Sequence, residues 1–180
     1  MDISLLKTTL ASQIRTFHLP KYAQLPDMGL YLEQVTEYLN RQLAPLGLSE
    51  ITGSMIRNYV KKGLIANPVK KRYSADHIAH LFAICLLKSV MPLENIHALF
   101  LQQEQIYSVQ IAYDYLCDEL ENALWVQFGF KDTLDEIGST SSVVKRMLRS
   151  AIIALSNIIY LNGCFRILSS IDPQNENKTC

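Results

Sequence analysis

Glycine and proline are scarce, at 7 and 6 of 180 residues. A turn-rich all-β chain needs more breakers than that, so a sandwich or barrel is disfavoured. Long apolar runs are missing as well. The longest unbroken one, Leu81 to Leu87, falls far short of the roughly 20 residues that span a bilayer. The opening Met1-Asp2-Ile3-Ser4 has neither the basic stretch nor the apolar core of a secretory signal. The expectation is a cytoplasmic chain with no membrane partner. Cys85, Cys117, Cys164 and Cys180 stand 32, 47 and 16 residues apart, so no two have metal-ligand spacing. His18, His77, His80 and His97 are scattered, and read as surface and boundary residues. There is no glycine-rich phosphate loop, no Gly-x-Ser-x-Gly and no histidine pair four apart. These absences point away from an enzyme, a metal site and any other cofactor.

The composition that remains is that of a folding chain, 49% apolar and 19% charged. Its net charge of zero conceals a strong polarity. Residues 51–90 hold 7 basic side chains against one acid, and residues 91–138 hold one basic side chain against 9 acids. A one-sign patch of that density attracts a polyanion whatever the overall charge.

Periodicity predicts helices throughout. A first one carries Leu5, Leu6, Leu10 and Ile14. An extended connector follows over residues 18–27, because each residue before a proline avoids the α region. Asp27 is placed to cap a helix over about residues 30–43, which Pro45 and Gly47 end. Thr52 or Ser49 caps a short helix to Lys62, with Gly63 as its C-terminal glycine. Ser74 caps an apolar helix to about Val90, and Pro92 opens another. Two long helices close the chain. The first is expected over residues 102–128. The second, over 141–169, has a seam of Val144, Leu148, Ala151, Leu155, Ile158, Asn162 and Phe165, which Met147, Ile152 and Ile159 widen. The tail from Asp172 is expected to fray. Asp114, Asp118, Glu119 and Glu121 read as a solvated face, as do Lys145, Arg146 and Arg149.

The segment from Thr52 to Gly63 carries the chemistry. On a helix, Ile56, Tyr59, Val60 and Gly63 share one face, while Ser54, Arg57, Asn58 and Lys61 share the other, with Lys62 beside them. The first face docks on the protein. The second presents the groups that grip phosphates and read purine edges. Lys70, Lys71 and Arg72 follow in a loop just beyond.

These residues resemble a known family. Met55-Ile-Arg-Asn-Tyr-Val-Lys-Lys-Gly-Leu-Ile65, then Pro68, then Lys71-Arg72-Tyr73-Ser74-Ala-Asp-His-Ile78, is similar to the winged helix-turn-helix of MerR-type transcriptional regulators. Met91-Pro-Leu-Glu-Asn-Ile-His-Ala-Leu99 resembles that family's next helix. The resemblance covers residues 50–100. It implies that Arg57 and Lys61 contact DNA from a recognition helix, with Lys71 and Tyr73 contacting it from the wing. Ser54, Asn58, Lys62, Lys70 and Arg72 join them on charge and position alone. The family's usual aromatic is replaced by Asn58, and the connector from Gly63 to Tyr73 is too short for a full wing hairpin. Over a longer span, with Leu25-Pro-Asp-Met-Gly-Leu-Tyr-Leu-Glu-Gln-Val35 as hallmark, the chain resembles a small bacterial family described only as a domain of unknown function.

The expectation is therefore an all-α protein. A helix-turn-helix domain of MerR-like type with a reduced wing occupies residues 1–100, and a helical hairpin for dimerisation or effector sensing occupies 101–180. The expected partners are double-stranded DNA, a second copy of the chain, and an unidentified small-molecule effector for which Tyr107, Tyr113, Tyr115, Trp125, Phe128 and Phe130 are candidate cavity residues. The alternative is a helical protein–protein adaptor that keeps the scaffold without binding DNA.

Overall fold

A computed structural model describes residues 11, 12, 14–138 and 142–171, the side chains of 170 and 171 excepted. The helix expected around Leu5 to Leu10 and the tail from Asp172 lie outside the described residues. The fold is all-helical. Its elements are α1 (Leu32–Leu43), α2 (Gly53–Lys61), α3 (Ala75–Leu87), α4 (Leu93–Glu104), α5 (Val109–Gln127) and α6 (Val143–Ile171), with single 3-10 turns at Tyr22–Gln24 and Ala44–Leu46.

The most apolar helix, α3, buries ten of its thirteen residues, which a helix with one wet face cannot do, so it lies at the centre. Phe82 and Leu86 are fully buried there, in one core shared with Leu39 of α1, Ile56 of α2, Ile96 of α4, Leu120 of α5 and Leu155 of α6. That core runs through both of the predicted parts of the chain. The hairpin of α5 and α6 closes within one chain and lies across α3. Burial also raises the thiols of Cys85 and Cys117, each to about 12. At about pH 8 iodoacetamide is expected to label half-buried Cys164 and to spare Cys85 and Cys117 until denaturant is added, because the thiolate is the nucleophile. Peptide mass spectrometry reads the difference.

Three expectations need correction. The helix predicted over 102–128 is two helices: α4 ends at Glu104, and Ser108 starts α5 by accepting the Ile111 amide at 3.3 Å. Ile106 sits in the break and is 54% exposed. Asp27 does not cap α1, whose start is the Tyr31 amide donating to Gln34 Oε1 at 2.9 Å. As the expected span over 141–169 implies, Asn162 and Gly163 lie inside α6, which runs on to Ile171. Finally, α6 buries Ala151, Ile152, Leu155 and Ile159 of the predicted seam together with Ser156 and Gly163, and leaves Val144, Leu148 and Ile158 half-buried and Met147, Asn162 and Phe165 exposed. A strict seven-residue repeat drifts about 20° per heptad on a straight helix, so Asn162 and Phe165 have rotated to solvent. Over Val143–Ser169, α6 is long and apolar enough to cross a membrane, with a third of its most apolar stretch buried in the protein.

The acids of the third quarter are mostly committed to internal partners, not merely solvated. Asp114 accepts the Tyr22 amide at 2.8 Å, Asp118 pairs with Lys21, and Glu121 lies 3.1 Å from His18. Together they tie the connector before α1 to α5. Glu119 is buried, accepting from the Tyr115 hydroxyl at 2.7 Å and lying 3.5 Å from Arg149. The charge polarity is thus partly spent inside the fold on the acidic side. Of the cations on α6, Arg149 is held in this way, Lys145 lies over the rings of Tyr107 and Tyr115, and Arg146 is exposed.

Candidate nucleic-acid interface

The cationic strip lies on α2, and the launch of α2 is fixed by α1. Asn40 spans the connection: its amide donates to the Ile51 carbonyl and its carbonyl accepts the Ile51 amide, both at 2.9 Å. One side chain so satisfies both backbone groups of a buried residue. Thr52 then caps α2, its hydroxyl accepting the Met55 amide at 3.3 Å. Gly53 follows because a Cβ there would come within 3.2 Å of Leu32 on α1. At the other end Gly63 takes φ +72°, and the Leu64 amide returns to the Tyr59 carbonyl at 3.0 Å. Ile56 and Tyr59 are buried beneath the helix.

On the outer face Ser54, Arg57, Asn58, Lys61 and Lys62 are all exposed. Among the described residues no carboxylate pairs with Arg57, Lys61 or Lys62. The Ser54 hydroxyl meets that of Thr52 at 2.9 Å. Glu33 and Glu37 of α1 line the same shallow hollow as Ser54 and Arg57, so the positive potential is strongest toward Lys61 and Lys62.

The wing is a tight turn. Val69 bridges Arg72, whose amide donates to the Val69 carbonyl at 2.9 Å, with Lys70 and Lys71 at the tip. Both lysines have positive φ, 51° and 63°. That pattern belongs to the two-residue hairpin turn that asparagine and glycine favour, and a side chain with a full Cβ costs roughly 1–2 kcal/mol there. The base of the wing is completed from the other end of the segment: Leu30 and Tyr73 exchange both backbone hydrogen bonds, at 2.9 and 2.8 Å. The short connector therefore borrows its missing strand from the stretch just before α1, which sequence spacing did not reveal.

Two expected contacts do not sit on this surface. Tyr73 is buried, edge-on to His77 with ring centroids 5.7 Å apart, so it anchors the wing and presents nothing outward. Its backbone pairs with Leu30 and its ring fills the core, as alternate residues of an extended segment do. Arg72 is exposed but committed: its guanidinium donates to the carbonyls of Met28 and Gly29 at 3.2 and 3.4 Å and lies 4.7 Å over the Tyr31 ring. It is a strut for the wing. If the strip and wing do lie against a duplex, Arg72→Met should weaken that binding by loosening the tip while leaving its salt slope unchanged. A lost phosphate contact would instead flatten the slope by about 0.9. Titrations at several salt concentrations separate the two.

The candidate aromatic cavity is only partly assembled. Tyr107 and Tyr115 line a cleft of about 380 Å³ between α5 and the start of α6, with Lys145. Tyr113 is buried elsewhere, Phe128 packs edge-on to Tyr160 at 5.5 Å, and Trp125 is 39% exposed. Among the described residues no cluster of histidine, cysteine or carboxylate side chains is arranged to hold a metal ion.

The chain belongs to a family described as a domain of unknown function, DUF1836, which matches residues 20–116. The match spans the connector, the α1–α2 unit, the wing, α3, α4 and the first part of α5. No match to a MerR or helix-turn-helix family accompanies it. No curated protein and no solved structure matches the chain.

Proposed function

We propose that this member of a family of unknown function is a homodimeric DNA-binding protein of MerR-like type, a transcriptional regulator whose α2 enters the major groove. The observation that carries the reading is the unpaired strip of Arg57, Lys61 and Lys62 on a short helix whose opposite face is buried. The α1–connection–α2 unit has the order of a helix-turn-helix, with α2 as the second, reading helix. Arg57 and Asn58 supply the side chains that pair with guanine and adenine edges, and Ser54 and the lysines meet phosphates. The wing adds Lys70 and Lys71. Holding two lysines at positive φ, where Asn-Gly is favoured, is strain of the kind that accumulates at functional sites.

A second copy would bring two such helices to successive major grooves. Exposed Leu161, Phe165 and Leu168, spaced four and three apart on α6, offer an apolar stripe for that contact. The same stripe favours a second reading, a helical adaptor docking another protein. Fluorescence anisotropy with a labelled duplex over a range of salt concentrations tests the proposal. With Arg72 set aside, five free cations per protomer (Arg57, Lys61, Lys62, Lys70 and Lys71) set an expected slope of log affinity against log salt of about −4.5 per protomer. Absent or salt-independent affinity overturns it. Recovery of a protein partner with no nucleic acid, before and after nuclease treatment, supports the adaptor.

A further inference from the structure

Helix α6 is apolar on two sides. Ile152, Leu155 and Ile159 are buried against the rest of the fold. The opposite side carries a second stripe of Val143, Met147, Ala154, Ile158, Leu161 and Phe165, interrupted only by Ser150. At about 100° per residue all seven fall within about 40° of Ala154, nearly opposite the buried set. The steps along the stripe run 4-3-4 twice. That is an eleven-residue repeat, about 3.67 residues per turn, which a straight helix keeps on one side over its whole length. Val143, Met147, Leu161 and Phe165 are 62%, 56%, 52% and 64% exposed, and Leu168 extends the stripe at 43%. These five side chains offer roughly 500 Å² of apolar surface, and two such stripes together roughly the 1,000 Å² that a specific interface needs.

The order of the residues says what covers the stripe, because it is close to symmetric about Ala154. Val143 and Phe165 stand 11 positions either side of it, Met147 and Leu161 stand 7, and Ser150 and Ile158 stand 4. Two such helices can cross antiparallel with both Ala154 residues on the two-fold axis. Val143 then meets Phe165 of the other copy and Met147 meets Leu161, while the small residue at the centre lets the backbones approach to about 8 Å. The charges choose the same direction. Helix α6 carries Lys145, Arg146, Arg149 and Arg166 and no acid. In a parallel pair Arg146 and Arg166 would each face their own copies with no carboxylate on α6 to neutralise them. In the antiparallel pair Arg146 comes opposite Asn162, and Arg166 opposite Ser142. A bilayer would also accept an apolar stripe, but it gives no reason for the symmetry, and Ile152, Leu155 and Ile159 hold α6 in the core.

We propose that the outer face of α6 is the surface on which two copies of this chain pair, antiparallel and centred on Ala154. This assigns the interface and direction of the homodimer in the reading above, and rests on that reading for its use on DNA. The pairing itself stands whether or not α2 meets a duplex.

The test uses the full chain without DNA, with Cys164 and Cys180 changed to serine so that only buried Cys85 and Cys117 remain. Sedimentation velocity at micromolar concentration is expected to show a dimer. Leu161→Lys with Phe165→Lys, both at exposed positions, should weaken it at least about a hundredfold and leave the circular dichroism unchanged. Disulfide formation under mild oxidation reads the direction. Ala154→Cys should link to its own copy. Met147→Cys and Leu161→Cys should each fail to do so, since each stands about 21 Å from its own copy, and should link to each other when the two variants are mixed. The mixed pair decides the matter if Ala154→Cys folds poorly. A monomer, a dimer that survives the lysine variants, or self-linking of Met147→Cys overturns the proposal. A monomer that binds vesicles of anionic phospholipid overturns it in favour of a lipid surface. A dimer with no affinity for a duplex sinks the DNA reading alone, whereas a monomer that binds a duplex sinks this pairing and leaves the α2 strip standing.

Discussion

Reversing charge at Arg57 and Lys61 together, to glutamate, is expected to lower duplex affinity at least about a hundredfold and to leave the helical circular dichroism unchanged. The first half follows from replacing two free cations by two anions where a phosphate backbone is to lie. Each cation lost removes counterion release, and each anion gained adds repulsion. The second half follows from burial. The docking of α2 is done by Ile56 at 0% and Tyr59 at 3% exposure, while Arg57 and Lys61 are exposed and unpaired, so no internal contact is broken. The milder pair, Arg57→Gln with Lys61→Gln, leaves three free cations per protomer and should reduce the salt slope from about −4.5 to about −2.7. A reversed variant that still binds places the duplex elsewhere. One that unfolds assigns the strip a structural role, which its exposure argues against.

The strip was legible because an amphipathic helix declares itself locally. Thr52, Ile56, Tyr59 and Gly63 are each diagnostic at their own position, and all four carry the cap, the core face and the stop that spacing implies. The wing was legible only as a charge run. Its base depends on Leu30 meeting Tyr73, 43 positions further along the chain, and no local pattern encodes that pairing. For the same reason Arg72 looked like a third phosphate contact, when its guanidinium answers carbonyls at Met28 and Gly29.

The acids show where charge patterning misleads. Nine acids against one base over residues 91–138 resembles a solvated surface. A helix with acids at 114, 118, 119 and 121 cannot point all of them outward, however, because 119 falls on the same side as Leu116, Leu120 and Ala123. Glu119 is accordingly 1% exposed. A buried carboxylate persists only with partners. Tyr115 supplies a hydroxyl, whose own ionisation is pushed up by burial and by that carboxylate, and Arg149 supplies the charge.

Arg149→Met is therefore expected to destabilise the protein by about 2–4 kcal/mol, a fall in Tm of roughly 5–15 °C. The loss exceeds that of a surface ion pair, because Glu119 is left charged and buried with only the Tyr115 hydroxyl. The Glu136 side of Arg149 contributes little, since that carboxylate is 94% exposed. The bond to the Asp135 carbonyl, 2.8 Å, is a smaller share and ties the loop after α5 to α6. Pairing the change with Glu119→Leu should recover most of the stability, as replacing a buried ion pair by apolar side chains is close to neutral. Urea melts of the two single variants and the double variant give the coupling directly. A single variant within about 0.5 kcal/mol of the parent would place the pair among ordinary surface contacts, and the hold of α5 on α6 would then rest on apolar packing of residues such as Leu120, Ala123, Leu155 and Ile159.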